Sequence, residues 1–146
     1  MQRTFAELGT ELSSPRAYEI YRRCMYLPTP EKYARLTRGF LAGPSVRTCG
    51  CLEDGTLVGV LVLSLKGNGC GEILGIAVEE IMSQRGIGSF MVREVIRCYG
   101  LNSLRAETDG DAVGFYQKIG FAVTPFVRKY GLDEVQRYAC ELRLEA

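Results

Sequence analysis

Residues 72–99 read EILGIAVEEIMSQRGIGSFMVREVIRCY, which combines an apolar strand, a short loop and an amphipathic helix. The helix is indicated by apolar residues at helical spacing, namely Ile87, Met91, Val95 and Cys98. Gly86 and Gly88 stand where the loop enters the helix, and glycines there let a ligand approach the backbone. Because the first turn of a helix has unpaired N–H groups and a positive dipole end, this loop, which includes Arg85, predicts a pyrophosphate site. Tight packing of the strand against the helix would explain the same glycines.

The segments around this unit predict an α/β protein. After a short strand near residues 4–8, helices are expected over residues 15–25 and from Pro30 to Gly39 or Gly43. Further strands are predicted over residues 46–52, 56–65, 72–78, 104–107, 121–126 and 135–144, and further helices over 86–99 and 111–118. This order predicts a central mixed, mostly antiparallel sheet flanked by helices, in a single domain of residues 1–146.

The composition excludes several functional classes. The 146 residues include no histidine, which excludes Ser-His-Asp and Cys-His catalytic sites and His-ligated metals. The net charge of +1 is no signal for nucleic-acid binding. No apolar run reaches the ~18 residues of a membrane span, and residues 1–10 lack the pattern of a signal peptide. We therefore expect a cytoplasmic protein that binds neither nucleic acid nor a membrane.

The cysteines favour reduced thiols over disulfides or a metal site. There are six of them, and without a signal peptide a reducing compartment is expected. Cys49 and Cys51 form the closest pair, and they would point to the same face of a strand, but the chain contains no CxxC motif. We expect no metal.

A second segment, residues 111–121, reads DAVGFYQKIGF. With the glycine loop before it, the chain resembles the GNAT superfamily of acetyl-CoA-dependent N-acetyltransferases, which carries an R/Q-x-x-G-x-G/A loop followed by an A-x-x-F-Y-x-K-x-G-F segment. The residues that match the second motif are Ala112, Phe115, Tyr116, Lys118, Gly120 and Phe121. The resemblance covers residues 46–126, and it implies a GNAT-type acyltransferase fold with acetyl-CoA as cosubstrate.

Two positions depart from the family pattern. Ser83 stands where the loop of the family has Arg or Gln, so one contact to phosphate is either missing or supplied by Arg85. Asp109 stands where an Asn is often found; a carboxylate can cap the following helix but cannot donate a hydrogen bond as the amide does.

The resemblance implies a set of cofactor-binding residues. The pyrophosphate would lie on the backbone N–H groups of Gln84, Arg85, Gly86, Ile87, Gly88 and Ser89. The pantetheine arm would pair with the strand at Ile76 and Val78, where neighbouring strands separate near a bulge at Gly75. The amide of Val78 or Ala77 would polarise the thioester carbonyl. The remaining expected contacts are Asp109, Phe115 and Lys118.

Two residues are candidates for acid–base chemistry. By the resemblance, Tyr116 would protonate the leaving thiolate; the alternative is that it only packs or hydrogen bonds to the cofactor. Glu72 is the candidate general base, with an ordinary strand-edge carboxylate as the other interpretation. Glu107, Asp109 and a water chain are alternative bases.

The predicted function is transfer of an acetyl group from acetyl-CoA to the amine of a small molecule or peptide, by direct attack. The alternative is a non-catalytic domain of the same fold that holds CoA or acyl-CoA as a sensor or a partner-binding module. A purely structural protein would bind no CoA. Residues 1–50 carry eight basic and four acidic side chains, which indicates either a solvated surface or a basic rim for an anionic acceptor. The acceptor, the acyl-chain length and a homodimeric state all remain open.

Overall fold

The computed structural model describes residues 2–82 and 85–144. Its strands are β1 (Arg3–Glu7), β2 (Val46–Glu53), β3 (Thr56–Gly67), β4 (Cys70–Val78), β5 (Ser103–Thr108), β6 (Ala122–Tyr130) and β7 (Asp133–Arg143). Its α-helices are α1 (Pro15–Tyr21), α2 (Pro30–Ala42), α3 (Ile87–Tyr99) and α4 (Val113–Lys118). Short 3₁₀ turns cover Gly9–Ser13, Arg22–Cys24 and Glu80–Met82.

The first two helices begin where the sequence predicts. Ser14 Oγ accepts a hydrogen bond from the Ala17 amide at 3.1 Å, and Thr29 Oγ1 accepts one from the Lys32 amide at 3.1 Å. Each cap is followed by a proline in the first turn, where a missing N–H costs nothing.

The strands form one seven-stranded sheet in the order β1-β2-β3-β4-β5-β7-β6. β4 and β5 pair in parallel, and the other neighbouring pairs are antiparallel. The predicted mixed, mostly antiparallel sheet with flanking helices is confirmed.

Both faces of the sheet are covered. On β3, Leu61 and Leu63 pack with α3 and α4, whereas Val60 and Val62 pack with α1 and α2. We call these two sides the α3 face and the α1 face. Because successive side chains of a strand point to opposite faces, a strand covered on both sides is apolar at nearly every position, as β3 is.

Three local features differ from the sequence prediction. The helix predicted over residues 15–25 ends at Tyr21 and tightens into the 3₁₀ turn Arg22–Cys24. β6 and β7 are longer than predicted and meet at residues 131–132. Charged residues interrupt the apolar pattern there, so the sequence does not show that the strands continue. The extension is seen only in the strand pairing, in which Arg128 pairs with Val135 and the adjacent residues pair in the same register.

The third difference is the position of the bulge on β4. Val62 pairs with Gly75 and Leu63 pairs with Ile73, so Leu74 is the extra residue of the bulge. The sequence placed the bulge at Gly75, one residue too late.

No helix in the described part of the chain is both long and apolar enough to cross a membrane. All six cysteines are free thiols. Cys49 and Cys51 are buried together on the α3 face, and no cluster of potential metal ligands occurs among the described residues.

Candidate active site

The site begins where β4 and β5 separate. The two strands pair from Cys70 and Ser103 to Ile73 and Ala106, and the pairing stops there although β4 continues to Val78. A gap therefore opens in the middle of the sheet beside the second half of β4, as the sequence predicted for the strands that would admit pantetheine.

Backbone alternation decides which residues face this gap. The Glu79 amide donates to the Val58 carbonyl on β3 at 2.8 Å. In an antiparallel pair the backbone groups of successive residues alternate in direction, so Ala77 is directed towards β3, and Ile76 and Val78 are directed into the gap. The backbone groups of Ile76 and Val78 are thus directed to where the pantetheine arm is expected, whereas the Ala77 amide is directed towards β3.

The 3₁₀ turn Arg22–Cys24 lies against this open edge of β4. The Arg23 guanidinium donates to the Val78 carbonyl. The Cys24 thiol interacts with the Ile76 amide and the Tyr21 hydroxyl, but partial desolvation outweighs these hydrogen bonds and raises the thiol pKa to about 11. Cys24 is therefore a neutral thiol at neutral pH.

Tyr116 approaches the same gap from the α3 face. Its side chain is 5% exposed and lies in edge-to-face contact with Phe115 and Phe121. Burial, and to a lesser extent the thiols of Cys140 and Cys24, holds the pKa of this phenol well above its usual value. On the α3 face Tyr116 belongs to the same buried cluster as Ile73 and Ala106, the last residues that pair before β4 and β5 separate.

The glycine loop lies at the start of α3. Gly86 has φ +74°, a left-handed conformation that favours glycine, and a Cβ there would meet no atom of residues 2–82 or 85–144 within 4 Å. Gly88 has a different role, since a Cβ would lie 2.7 Å from Phe115 Cε1. Open space for a ligand therefore exists at Gly86, whereas Gly88 is small because a ring of α4 packs on it.

The other predicted loop residues have mixed environments. Ile87 is buried in the core, Ser89 is half-buried and Arg85 is exposed. The Arg3 guanidinium donates to the Arg85 carbonyl at 3.2 Å, which ties the loop to β1. Gln84 and Ser83 lie outside the described residues.

Residues 14–121 match the family model described as the acetyltransferase (GNAT) family. This chain belongs to that family. The match includes the strand pair that separates, the glycine loop and α4, so the GNAT assignment rests on the same segments that form the site.

Solved structures with the same fold include several N-acetyltransferases. The ribosomal-protein-S18-alanine N-acetyltransferase of Escherichia coli superposes with a TM-score of 0.74 at 17% identity, over 99% of this chain and 96% of that one. Ard1 of Thermoplasma volcanium gives 0.71 at 24% identity over 100% of both chains. A GNAT family acetyltransferase of Elizabethkingia anophelis, solved with acetyl-CoA bound, gives 0.70 at 21% identity over 97% and 98%. A search of curated protein sequences found no match.

In this GNAT chain, Glu72 lies just before the gap. Glu72 pairs with Ser64 of β3. Ser64 lies on the same face of β3 as Val60 and Val62, because alternate residues of a strand share a face, so the Glu72 side chain is on the α1 face. The carboxylate is 35% exposed and its Oε1 lies 3.4 Å from Lys66 Nζ.

The two alternative carboxylates are engaged elsewhere. Desolvation acts to raise the pKa of Glu107, but ion pairs with Arg128 and with Arg137, the latter at 3.1 Å, outweigh it and hold this pKa below its usual value. Asp109 Oδ1 accepts from the amides of Asp111 and Ala112 at 3.1 and 2.9 Å. Asp109 thus caps the turn that precedes α4, whereas Ala112, the N-cap residue of α4 itself, makes no side-chain capping hydrogen bond. Lys118, at the end of α4, is exposed.

A cavity of about 610 Å³ opens on the α1 face beside the gap. Its walls include Cys24 of the 3₁₀ turn, the bulge residue Leu74 and one side of α2. The lining residues include Tyr21, Cys24, Lys32, Arg35, Leu36, Phe40 and Leu74. Sequence reasoning missed this cavity because its residues are far apart along the chain. The available signals were the spacing of Lys32, Leu36 and Phe40 on α2 and the basic excess of residues 1–50.

Proposed function

We propose that the protein transfers an acetyl group from acetyl-CoA to a primary amine by direct attack of the amine on the thioester. The observation that carries this proposal is the gap between β4 and β5, with Tyr116 on one side of it and an open cavity on the other.

The residues present fit acetyl-CoA in two places. The open space over Gly86, at the positive end of α3, suits the pyrophosphate. The gap-facing backbone groups of Ile76 and Val78 suit an extended arm that pairs with β4 as an added strand. Arg23 now holds the Val78 carbonyl, so binding of such an arm requires its guanidinium to move aside.

Acetyl-CoA supplies an activated acyl group as its thioester when it is bound. In the reaction the C–N bond to the acceptor forms, the C–S bond breaks, the amine nitrogen loses one proton and the sulfur gains one. The protein needs a group that accepts the first proton and a group that supplies the second.

Tyr116 is the proposed proton donor. Because burial raises its pKa, the phenol stays protonated at neutral pH, which is the state a donor requires. The same shift makes it a weaker acid than an ordinary tyrosine, so we expect its hydrogen bond to sulfur to strengthen as negative charge develops there and its proton to transfer as the C–S bond breaks.

Glu72 is the proposed proton acceptor. It lies on the α1 face, as the cavity does, and its partner Lys66 keeps the carboxylate in place without covering it. A chain of water molecules from the cavity to Glu72 would serve the same end.

Free-thiol release from acetyl-CoA tests the proposal when it is measured with a panel of primary amines, together with calorimetry of CoA binding. Amine-dependent release, with the acetylated amine identified by mass spectrometry, is the expected result. Tight CoA binding without release by any amine would favour a CoA sensor. Absence of CoA binding would overturn both the transferase and the CoA sensor.

A further inference from the structure

The cavity on the α1 face has a one-sided distribution of charge. Its charged lining residues are Lys32 and Arg35, and no carboxylate lines it. Glu72, the proposed proton acceptor, is paired with Lys66 and is not among the lining residues.

Neither cation of the cavity is neutralised by an ion pair within the described residues. Lys32 Nζ donates to the Leu27 carbonyl at 2.8 Å, which fixes its position without cancelling its charge. Arg35 is exposed. Two positive charges therefore stand at a site that the fold leaves open.

Along α2, the cations that line the cavity lie nearer the start of the helix, and the apolar lining residues extend towards its end. Arg35 and Leu36 come three and four residues after Lys32, so each lies on the same side of the helix as Lys32. Lys32 is in the first turn after the cap Thr29, and Phe40 is near the other end. The cavity thus has a positive end, reinforced by the dipole of α2, and an apolar end.

We propose that the acceptor is a small amine that also carries a carboxylate and an apolar body, and that Lys32 and Arg35 select it by binding the carboxylate. This inference rests on the proposed transferase function. A guanidinium binds a carboxylate through paired hydrogen bonds, and such charge-assisted bonds are stronger than neutral ones. The apolar body would pack against Leu36 and Phe40.

The same charges favour the reaction chemically. Nearby positive charge disfavours an ammonium ion and so lowers the pKa of a bound amine. More of the acceptor is then present as the free amine that attacks the thioester. A polyamine without an anionic group meets only repulsion at Lys32 and Arg35.

The test compares leucine, methionine and phenylalanine with their carboxamides as acceptors, by thiol release at saturating acetyl-CoA. Each pair differs in the negative charge and, as a consequence, in the pKa of the α-amine, which is lower in the carboxamide, so kcat/KM is expressed per concentration of free amine. We expect kcat/KM for the acid to exceed that for its amide by on the order of ten-fold or more, as for loss of hydrogen bonds to a charged group. Arg35→Gln and Lys32→Gln should remove this preference by raising KM for the acid while the amide is unaffected.

Arg38→Gln is the matched control, because Arg38 is an exposed cation of the same helix that does not line the cavity. It should leave both acceptors unchanged, and CoA affinity should be the same in all variants. Equal use of acid and amide by the wild-type protein would overturn the carboxylate site and keep the transferase. So would an Arg38→Gln effect as large as that of Arg35→Gln.

If none of the amines is acetylated, calorimetry with the N-acetylated acids and N-acetylated amides decides, with CoA present. Tighter binding of the acids, lost in Arg35→Gln, would keep the carboxylate site and count against the transferase. Equal binding, or no binding of either series, would overturn the carboxylate site.

Discussion

The ring of Tyr21 packs directly on the backbone of Gly75. A Cβ at residue 75 would lie 2.6 Å from Tyr21 Cζ and closer still to its hydroxyl oxygen. This contact joins α1 to β4 one residue after the bulge, where the gap begins, so any side chain at residue 75 displaces an aromatic ring that lines the cavity.

Gly75→Ala should therefore destabilise the protein and damage the site together. We expect the melting temperature to fall by roughly 3–10 °C, the range for overpacking a core position in a protein of this size. Gly39→Ala is the control, because a Cβ at this helical position meets nothing within 4 Å; it should raise stability slightly. An unchanged melting temperature for Gly75→Ala would mean that Tyr21 is free to move away.

Tyr116→Phe should lower kcat by ~10²-fold, within the range of acid–base contributions, with little change in the affinity for acetyl-CoA. The substitution keeps the edge-to-face contacts with Phe115 and Phe121 and removes only the hydroxyl. Tyr130→Phe, on the exposed end of β6, is the control. Steady-state kinetics check this, and an unaltered kcat would leave Tyr116 with a packing role alone.

The pH dependence of kcat gives a separate test of Tyr116. Because its pKa is raised, the phenol keeps its proton through pH 10, the usual pKa of tyrosine. We therefore expect kcat of the wild-type protein and kcat of Tyr116→Phe to depend on pH in the same way up to pH 10. A decline of kcat towards pH 10 in the wild-type protein alone would show that Tyr116 ionises with a normal or lowered pKa in the complex.

Gly86→Asp should abolish CoA binding in calorimetry, because a negative charge would enter the open space at the positive end of α3. Gly131→Asp is matched to it, since Gly131 also has a positive φ, of +64°, but lies in the turn between β6 and β7. That control should bind CoA like the wild-type protein. Normal binding by Gly86→Asp would place the pyrophosphate elsewhere.

Glu107→Gln should destabilise the protein at neutral pH, by an amount that decreases as the pH falls. The pKa of Glu107 is lowered in the folded state, so its ion pairs stabilise the fold above the usual pKa of a glutamate, and this contribution is lost as the pH falls below its folded pKa. Thermal unfolding at pH 7 and at pH 3 measures the difference. Glu134→Gln, in an exposed pair 4.0 Å from Lys129, should have little effect at either pH. A penalty for Glu107→Gln that is the same at pH 3 as at pH 7 would assign its role to packing.

Much of the fold follows from local patterns. Ser14 and Thr29 predict the helix starts, Asp54 and Gly55 predict a hairpin, and residues 72–99 predict the strand–loop–helix unit. These features depend on capping, turn geometry and periodicity, which act over a few residues, so the sequence shows them directly. The motif of α4 can also be recognised from the sequence, because its residues and their distance from the glycine loop follow the pattern of the family.

The tertiary structure alone decided how these parts meet. Leu74 rather than Gly75 is the bulged residue because the register with β3 sets which residue is left unpaired. Gly88 is small because Phe115, 27 positions later, packs on it. Lys32 and Arg35 come to line the same cavity as Leu74 of β4 only because the fold places α2 beside that strand. Local propensity acts on neighbours along the chain, whereas a site is assembled by burial and strand pairing between residues that are distant in sequence, and these are known only once the chain has folded.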